Sequence, residues 1–99
     1  MRIGCAADLT KGTLRRFEAD GVAICVARTD DGVFHAVEDR CTHEDVELSD
    51  GDLVGDEIEC PLHGSLFDVA TGAVRGLPAT EPLRVYPLSV DGDDLVVEL

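Results

Sequence analysis

Two short stretches of the chain each carry one cysteine and one histidine at close spacing. Cys41 and His43 form a Cys-x-His pair, and Cys60 and His63 form a Cys-x-x-His pair, with sixteen residues between the two pairs. Cysteine thiolates are soft ligands, and neutral imidazoles bind iron, zinc and copper well. Two such pairs on two loops therefore predict a metal site with ligands of both types.

Two cysteines and two histidines suit two kinds of metal site. In one, two histidines replace two cysteines on one iron of a 2Fe-2S cluster. In the other, the four side chains surround a structural zinc ion that has no redox function. The classical zinc finger pairs cysteine with cysteine and histidine with histidine, whereas each pair here is mixed. This arrangement favours the cluster and leaves zinc as the alternative.

The segments that carry the pairs resemble the Rieske ferredoxins. They read CTHEDVELSDG in residues 41–51 and ECPLHGSLFD in residues 59–68. The resemblance is strong over the middle third of the chain. It implies an all-β Rieske fold, in which an antiparallel β-sandwich base carries a small inserted cluster-binding subdomain.

The same resemblance implies one [2Fe-2S] cluster and assigns its ligands. Cys41 and Cys60 would bind one iron, and His43 and His63 the other. With two thiolates, the oxidised cluster is neutral and the reduced cluster carries a single negative charge, whereas four thiolates would give −2 and −3. Adding an electron to a neutral centre is easier, so Rieske potentials of roughly −150 to +300 mV exceed the value of about −400 mV for plant-type ferredoxins.

Three further residues are expected near the cluster. Gly64 would let the backbone pass close to it, although an ordinary turn glycine is compatible with the pattern. Ser65 offers a hydroxyl donor. Pro78 lies in residues 75–79, RGLPA, which resemble the proline-containing third loop that covers the cluster in this family. For this third segment a surface turn is the alternative.

Three neighbouring positions predict a low reduction potential. High-potential Rieske proteins have an extra cysteine in each ligand loop, forming a disulfide, where this chain has Val46 and Leu62. They also place a tyrosine, which donates a hydrogen bond towards a cysteine sulfur, where this chain has Phe67. Fewer donors stabilise the reduced cluster less, so we expect a potential of roughly −150 mV.

The elements that must position these residues are short strands separated by Gly, Asp and Pro. We expect one domain over residues 1–99, with a cluster-binding subdomain at residues 38–77 that contains all four ligands. The longer strands are expected in the base, at Thr13 to Glu18, Val22 to Arg28, Val33 to Val37, Leu83 to Val90 and Leu95 to Leu99. The shorter ones are expected in the subdomain, at Leu53–Val54, Glu57 to Glu59, Leu66 to Val69 and Ala73–Val74.

The chain is strongly acidic, with 21 Asp and Glu against 8 Lys and Arg and a formal net charge of −13. Nucleic acid and anionic membranes are therefore not expected as partners, and a basic protein surface is the natural complement. Solubility alone is the alternative explanation. Glu44, Asp45 and Glu47 follow the first ligand pair and would either meet a basic reductase or form a solvated turn.

The remaining candidate residues carry weaker signals. The N-terminal MRIGCAADLT lacks a secretory signal and no apolar run reaches membrane-spanning length, so we expect a cytoplasmic protein with Cys5 and Cys25 as buried thiols. A lone histidine such as His35 is more often structural than a ligand. Asp39 and Arg40 would shape the first loop by ion pairing or face a partner. Phe17 and Tyr86 are expected in the core.

The resemblance implies a protein that transfers electrons and is not itself an enzyme. It would carry single electrons from an NAD(P)H-dependent flavoprotein ferredoxin reductase to a terminal oxygenase, as a monomer, in a bacterial aromatic-ring-hydroxylating dioxygenase system. From the length of 99 residues we expect no second, catalytic domain. The alternatives are the small subunit of an NAD(P)H nitrite reductase, many of which lack the ligands, a zinc module, and an iron–sulfur sensor that binds a regulator.

Overall fold

The regular secondary structure of the described residues consists mainly of antiparallel β-strands. The computed structural model describes residues 1–43, 45–62 and 64–99. Two single 3-10 turns, Ala6–Asp8 and Leu48–Asp50, interrupt the strands. The strands of this part of the chain are β1 Arg2–Cys5, β2 Thr13–Ala19, β3 Val22–Arg28, β4 Phe34–Glu38, β5 Asp52–Val54, β6 Glu57–Glu59, β7 Leu66–Asp68, β8 Val74–Gly76, β9 Val85–Tyr86, β10 Leu88–Asp91 and β11 Asp94–Val97.

These strands form three sheets. The first has the order β1-β11-β10, the second β2-β3-β4-β9 and the third β5-β6-β7-β8. The first and second sheets combine strands from both ends of the chain, whereas the third is a local meander of residues 52–76. The predicted all-β class is confirmed, and the third sheet falls within the expected subdomain. The subdomain boundaries at residues 38 and 77 stay a prediction.

Strand β3 is central because both of its faces are buried. Ile24 and Val26 pack on one side, in a core cluster with residues of β11, and Cys25 and Ala27 pack on the other, with residues of β6 and β7. All four side chains are fully buried. Alternate residues of a strand face opposite sides, so β3 holds the first sheet on one face and the third sheet on the other.

The turn residues Asp20 and Gly21 account for the position of the β2–β3 hairpin. Asp20 and Gly21 separate the two strands, and both have positive φ, 52° and 77°. Two-residue hairpin loops of this type match the twist of the strands and strongly favour Asp-Gly. The predicted strand at Val22 to Arg28 is confirmed residue for residue.

Two expectations about the base were wrong or incomplete. The strand predicted at Leu83 to Val90 is divided at Pro87 into β9 and β10, which belong to different sheets. Proline has no N–H to donate to a ladder, so the chain changes sheets there. Strand β1 was not predicted, because its pairing with β11, at the other end of the chain, decides its conformation.

No helix in the described residues is long and apolar enough to span a membrane.

Candidate metal centre

The first ligand pair lies in the loop after β4. Cys41 is buried, with 1% of its surface exposed, whereas His43 is exposed. The N–H of Cys41 donates to the carbonyl of Val46 at 3.0 Å, which closes the loop around the pair. Thr42, between the two candidate ligands, donates its hydroxyl to the carbonyl of Glu81 at 2.6 Å.

The second pair follows β6 in a similar turn. Cys60 is buried, with 2% exposure, and its N–H donates to the carbonyl of Ser65 at 2.8 Å. The N–H of Gly64 donates to the carbonyl of Cys60 at 3.2 Å, and Gly64 has a φ of 75°. This positive φ requires glycine for the turn itself. His63, the fourth candidate ligand, lies outside the described residues, as does Glu44.

The two candidate ligand cysteines are buried in one apolar cluster. Cys41 and Cys60 belong to the same buried cluster as Phe67 and Ile58, and all four cysteines of the chain are thiols rather than disulfides. Two thiols on adjacent loops, with an imidazole beside the first, fit the donor set of a mixed Cys/His cluster. Within the described ranges, no three His, Cys, Asp or Glu side chains form a group that would hold a metal ion. The four-residue ligand set therefore stays a prediction.

Residues 77–81 are tied to both ligand loops. Ser65 is completely buried, and its hydroxyl oxygen accepts the N–H of Ala79 at 3.1 Å. The Thr42 bond to Glu81 supplies the second connection, from the first loop. Pro78 is half-buried between these points. A segment held in this way is suited to cover a site between the loops, although contact of Pro78 with a cluster stays a prediction.

Asp39 is a buried carboxylate at the start of the first ligand loop. Its side chain has 0% exposure. Ser49 donates to it twice, from its backbone N–H at 2.7 Å and from its hydroxyl at 2.6 Å, and Arg16 donates at 3.1 Å. The sequence left open whether Asp39 shapes the loop or meets a partner. The structure shows that it shapes the loop.

The contributions of Arg16 and Ser49 were missed by sequence reasoning. Nothing in the local pattern links them to Asp39, because Arg16 lies 23 residues and Ser49 ten residues away along the chain. A weak signal was available: Asp39 directly follows β4, and continued alternation of that strand would place it on the same face as the buried Val37. The hydrogen bond to Asp39 is the main reason that the pKa of Arg16 is raised.

Two acidic residues after the first ligand pair, Asp45 and Glu47, are paired with arginines. Arg40 pairs with Asp45 at 3.2 Å, and Arg16 pairs with Glu47 at 2.9 Å. In the Arg40–Asp45 ion pair both side chains are exposed, and such ion pairs contribute only about 0–1 kcal/mol to the free energy of unfolding. Their main effect is to reduce the local excess of negative charge at the loop.

The remaining predicted residues play structural parts. Cys25 is fully buried, and burial, followed by the charge of Asp39, raises the pKa of its thiol, which makes it unreactive. Cys5 is only half-buried, contrary to expectation. His35 is a half-buried residue within β4. Tyr86 is buried and Phe17 packs against the same cluster, which confirms both as core aromatics.

The all-β scaffold and the mixed Cys/His donor set define a class of small iron–sulfur protein, with one candidate ligand pair in the loop after β4 and the other between β6 and β7 of the third sheet. The chain belongs to the Rieske [2Fe-2S] domain family, whose model matches residues 1–87. The predicted resemblance is thereby confirmed. The family binds a 2Fe-2S cluster.

Individual relatives narrow the class. The chain is 41% identical over 98 residues to "Biphenyl 2,3-dioxygenase, ferredoxin component" of Rhodococcus jostii (strain RHA1), covering 99% of this chain and 91% of that protein. The ferredoxin of carbazole 1,9a-dioxygenase from Nocardioides aromaticivorans IC177 has a TM-score of 0.91 and 35% identity, covering 98% and 94%.

A further solved structure includes a similar chain beside an oxygenase. It is described as the complex of reduced oxygenase and oxidized ferredoxin in carbazole 1,9a-dioxygenase, and the matching chain has a TM-score of 0.89 and 39% identity, covering 99% of this chain and 100% of that one. These relatives are ferredoxins. The chain is accordingly an electron-transfer protein and not itself a catalyst, as the sequence predicted.

Proposed function

We propose that this protein carries single electrons from an NAD(P)H-dependent flavoprotein reductase to the terminal oxygenase of an aromatic-ring-hydroxylating dioxygenase system. One [2Fe-2S] cluster, held by Cys41, Cys60, His43 and His63, supplies one-electron redox chemistry. The protein works as a monomer in the cytoplasm, where NAD(P)H is available.

The observation that carries this proposal is the pair of buried thiols, Cys41 and Cys60, in one apolar cluster at two loops. Burial keeps water away from thiolate ligands, whereas the exposed position of His43 leaves the histidine side open to a partner. An electron passes between proteins without bond formation, so the chain has only to bring one edge of its redox centre close to the partner's centre.

The surroundings of the thiols support a low potential. Phe67 is completely buried in the same cluster and has no hydroxyl to donate to a sulfur. Positions 46 and 62 hold Val46, which packs against that cluster, and Leu62, which is 52% exposed, so neither loop has a second cysteine that could form a bracing disulfide. Fewer hydrogen bonds to sulfur leave the reduced state less stabilised. This environment suits a carrier that donates to an oxygenase rather than one that accepts electrons from quinol.

The choice of partner is supported by the relatives and by charge. Ferredoxin components of biphenyl and carbazole dioxygenases match almost the whole chain, and one similar chain occurs with its oxygenase. A net charge of −13 favours encounter with a basic surface on either partner.

Metal content and spectroscopy of purified protein test the cluster. We expect about two irons and two acid-labile sulfides per chain, the EPR signal of a reduced Rieske centre, and a one-electron potential near the lower end of the range for the class, roughly −150 mV. Cys41→Ser and Cys60→Ser should lose the cluster. Cys25→Ala, which removes a buried thiol outside the ligand pairs, should retain it.

The partner is tested separately by single-turnover transfer. Reduced protein is mixed with the oxidised terminal oxygenase of a carbazole or biphenyl dioxygenase, and reoxidation is followed by visible absorbance. Reoxidation at a rate that depends on oxygenase concentration supports the proposal. One zinc ion per chain and no iron would contradict the cluster assignment, and an intact cluster that the oxygenase does not reoxidise would contradict the partner assignment.

A further inference from the structure

A buried carboxylate, Asp39, lies at the first ligand loop and is hydrogen-bonded by the half-buried Arg16 and Ser49. Asp39 lies two residues before Cys41, its side chain has 0% exposure, and three hydrogen bonds from Arg16 and Ser49 satisfy it. Burying a carboxylate is unfavourable unless it is paired and hydrogen-bonded. The three donors meet that requirement for Asp39.

The bonds fix the loop at both ends. Asp39 precedes the loop and donates its own N–H to the carbonyl of Ala23 in β3 at 3.2 Å, whereas Ser49 lies in the 3-10 turn that follows it. Leu48, next to Ser49, is completely buried in the cluster that contains Cys41. The carboxylate therefore connects the entry and exit of the loop that presents Cys41 and His43.

The charge of Asp39 also acts on the core beside the ligands. It contributes to the raised pKa of Cys25, a member of the same buried cluster as Cys41 and Cys60. Charges interact more strongly in a protein interior than in water, because the effective dielectric constant is lower. A negative charge here opposes the addition of an electron nearby, and the arginine that pairs with it offsets part of that effect.

We propose that Asp39, with Arg16 and Ser49, positions the first ligand loop and holds the reduction potential of the bound cluster low. This inference rests on the proposed function, because it requires a cluster at Cys41 and Cys60. Asp39 and Arg16 are positioning residues that act through the loop and through their charges. The lack of donors at Phe67 and the charge of Asp39 then lower the potential by separate routes.

Opposite charge changes distinguish this proposal from a purely structural role. Asp39→Asn preserves size and leaves an oxygen for the Ser49 N–H, and it should shift the potential in the positive direction. Arg16→Gln removes the compensating cation and should shift it in the negative direction. A loop that merely loosened would give no such opposition of sign.

Matched controls isolate position from net charge. Arg15→Gln makes the same charge change on the opposite face of β2, since neighbouring residues of a strand face opposite sides. Asp93→Asn removes an exposed carboxylate at the β10–β11 turn. Arg15→Gln should shift the reduction potential less than Arg16→Gln, and Asp93→Asn should shift it less than Asp39→Asn.

The measurement is protein-film voltammetry of the cluster-containing protein, with EPR g values to show that the ligands are unchanged. Shifts of opposite sign that exceed both controls support the proposal. Shifts of the same sign, or shifts no larger than the controls, overturn it. If Asp39→Asn does not retain the cluster, Arg16→Gln and Ser49→Ala test the proposal in its place. The potential of Arg16→Gln should be more negative than that of its control Arg15→Gln. The potential of Ser49→Ala should likewise be more negative than that of its control Ser89→Ala.

Failure of this inference and failure of the proposed function have different signatures. A wild-type chain that binds no 2Fe-2S cluster overturns both. A wild-type chain with a normal Rieske EPR signal, whose potential is indifferent to Asp39 and Arg16, overturns only the inference.

Discussion

Ser65 is the buried hydroxyl that joins the second ligand loop to residues 77–81. Its oxygen accepts the N–H of Ala79, which is also completely buried. Ser65→Ala leaves that N–H without its acceptor, and we expect a loss of about 1–3 kcal/mol in the free energy of unfolding. Urea unfolding followed by circular dichroism measures it.

The control for this change is Ser89→Ala, which removes an exposed hydroxyl from β10. It should alter the free energy of unfolding by no more than about 0.5 kcal/mol. Equal effects of the two substitutions would show that the Ser65 bond does not contribute to stability.

At the scale of elements, the turn between β7 and β8 depends on Gly72. Gly72 has a φ of 75°, and a Cβ there would lie 2.3 Å from the carbonyl oxygen of Leu83, which is too close for any side chain. The Gly72 carbonyl accepts the Leu83 N–H at 2.8 Å, so this contact joins the third sheet to the segment that leads into β9. Gly72→Ala should therefore destabilise the protein by more than the strain of a positive φ alone.

Gly55→Ala is the matched control, because Gly55 has a similar φ of 61° but no atom lies within 4 Å of the position that its Cβ would take. Positive φ costs a non-glycine residue about 1–2 kcal/mol. The melting temperature of Gly72→Ala should be clearly lower than that of Gly55→Ala. The reverse order would mean that the backbone moves away from the Leu83 carbonyl without a loss of stability.

Asp68, the last residue of β7 before this turn, has a carboxylate whose titration affects stability. Asp68 accepts hydrogen bonds from the N–H groups of Ala70 and Thr71 at 2.9 and 3.0 Å and from Arg75 at 2.9 Å. Burial opposes ionisation of Asp68, but these bonds outweigh it, so its pKa is lowered. The folded-state pKa lies below the unfolded value of about 3.9.

Asp68 therefore stabilises the fold above the unfolded-state pKa, and this contribution is lost as the pH falls through the folded-state pKa. Asp68→Asn should be less stable than wild type by about 1–3 kcal/mol at pH 7. The difference should narrow below about pH 4, as wild type loses its advantage. Urea unfolding of both proteins at several pH values tests this, with Asp93→Asn as a control, and a gap that is constant with pH would contradict it.

At the scale of the whole molecule, net charge should govern encounter rates. With a charge of −13, the reduced protein should transfer electrons quickly to a basic acceptor such as cytochrome c at low salt. Screening shortens the range of attraction, so we expect the second-order rate constant to fall about tenfold or more between low and physiological ionic strength. Stopped-flow absorbance measures it.

Ferricyanide provides the control, because it is an anion and its reduction should become faster as salt screens the repulsion. If the rates with both acceptors changed in the same direction, charge would not be directing the encounter.

The elements that could be predicted from the sequence are those set by neighbouring residues. The hairpin at Asp20–Gly21, the strand at Val22–Arg28 and the short strand at Glu57–Glu59 follow from alternation and turn chemistry. Strand β1 and the division of the chain at Pro87 did not follow, because each depends on which distant strand is available for pairing.

The sequence by itself determined the chemistry of this protein: two Cys/His pairs, their spacing and the strongly acidic composition are properties of the residues alone. Tertiary structure decided what surrounds the pairs. Asp39 meets Arg16 across 23 residues, and Thr42 reaches Glu81 across 39. Each of these contacts joins residues that are far apart along the chain, so their partners are selected by strand order and tertiary packing and not by local pattern.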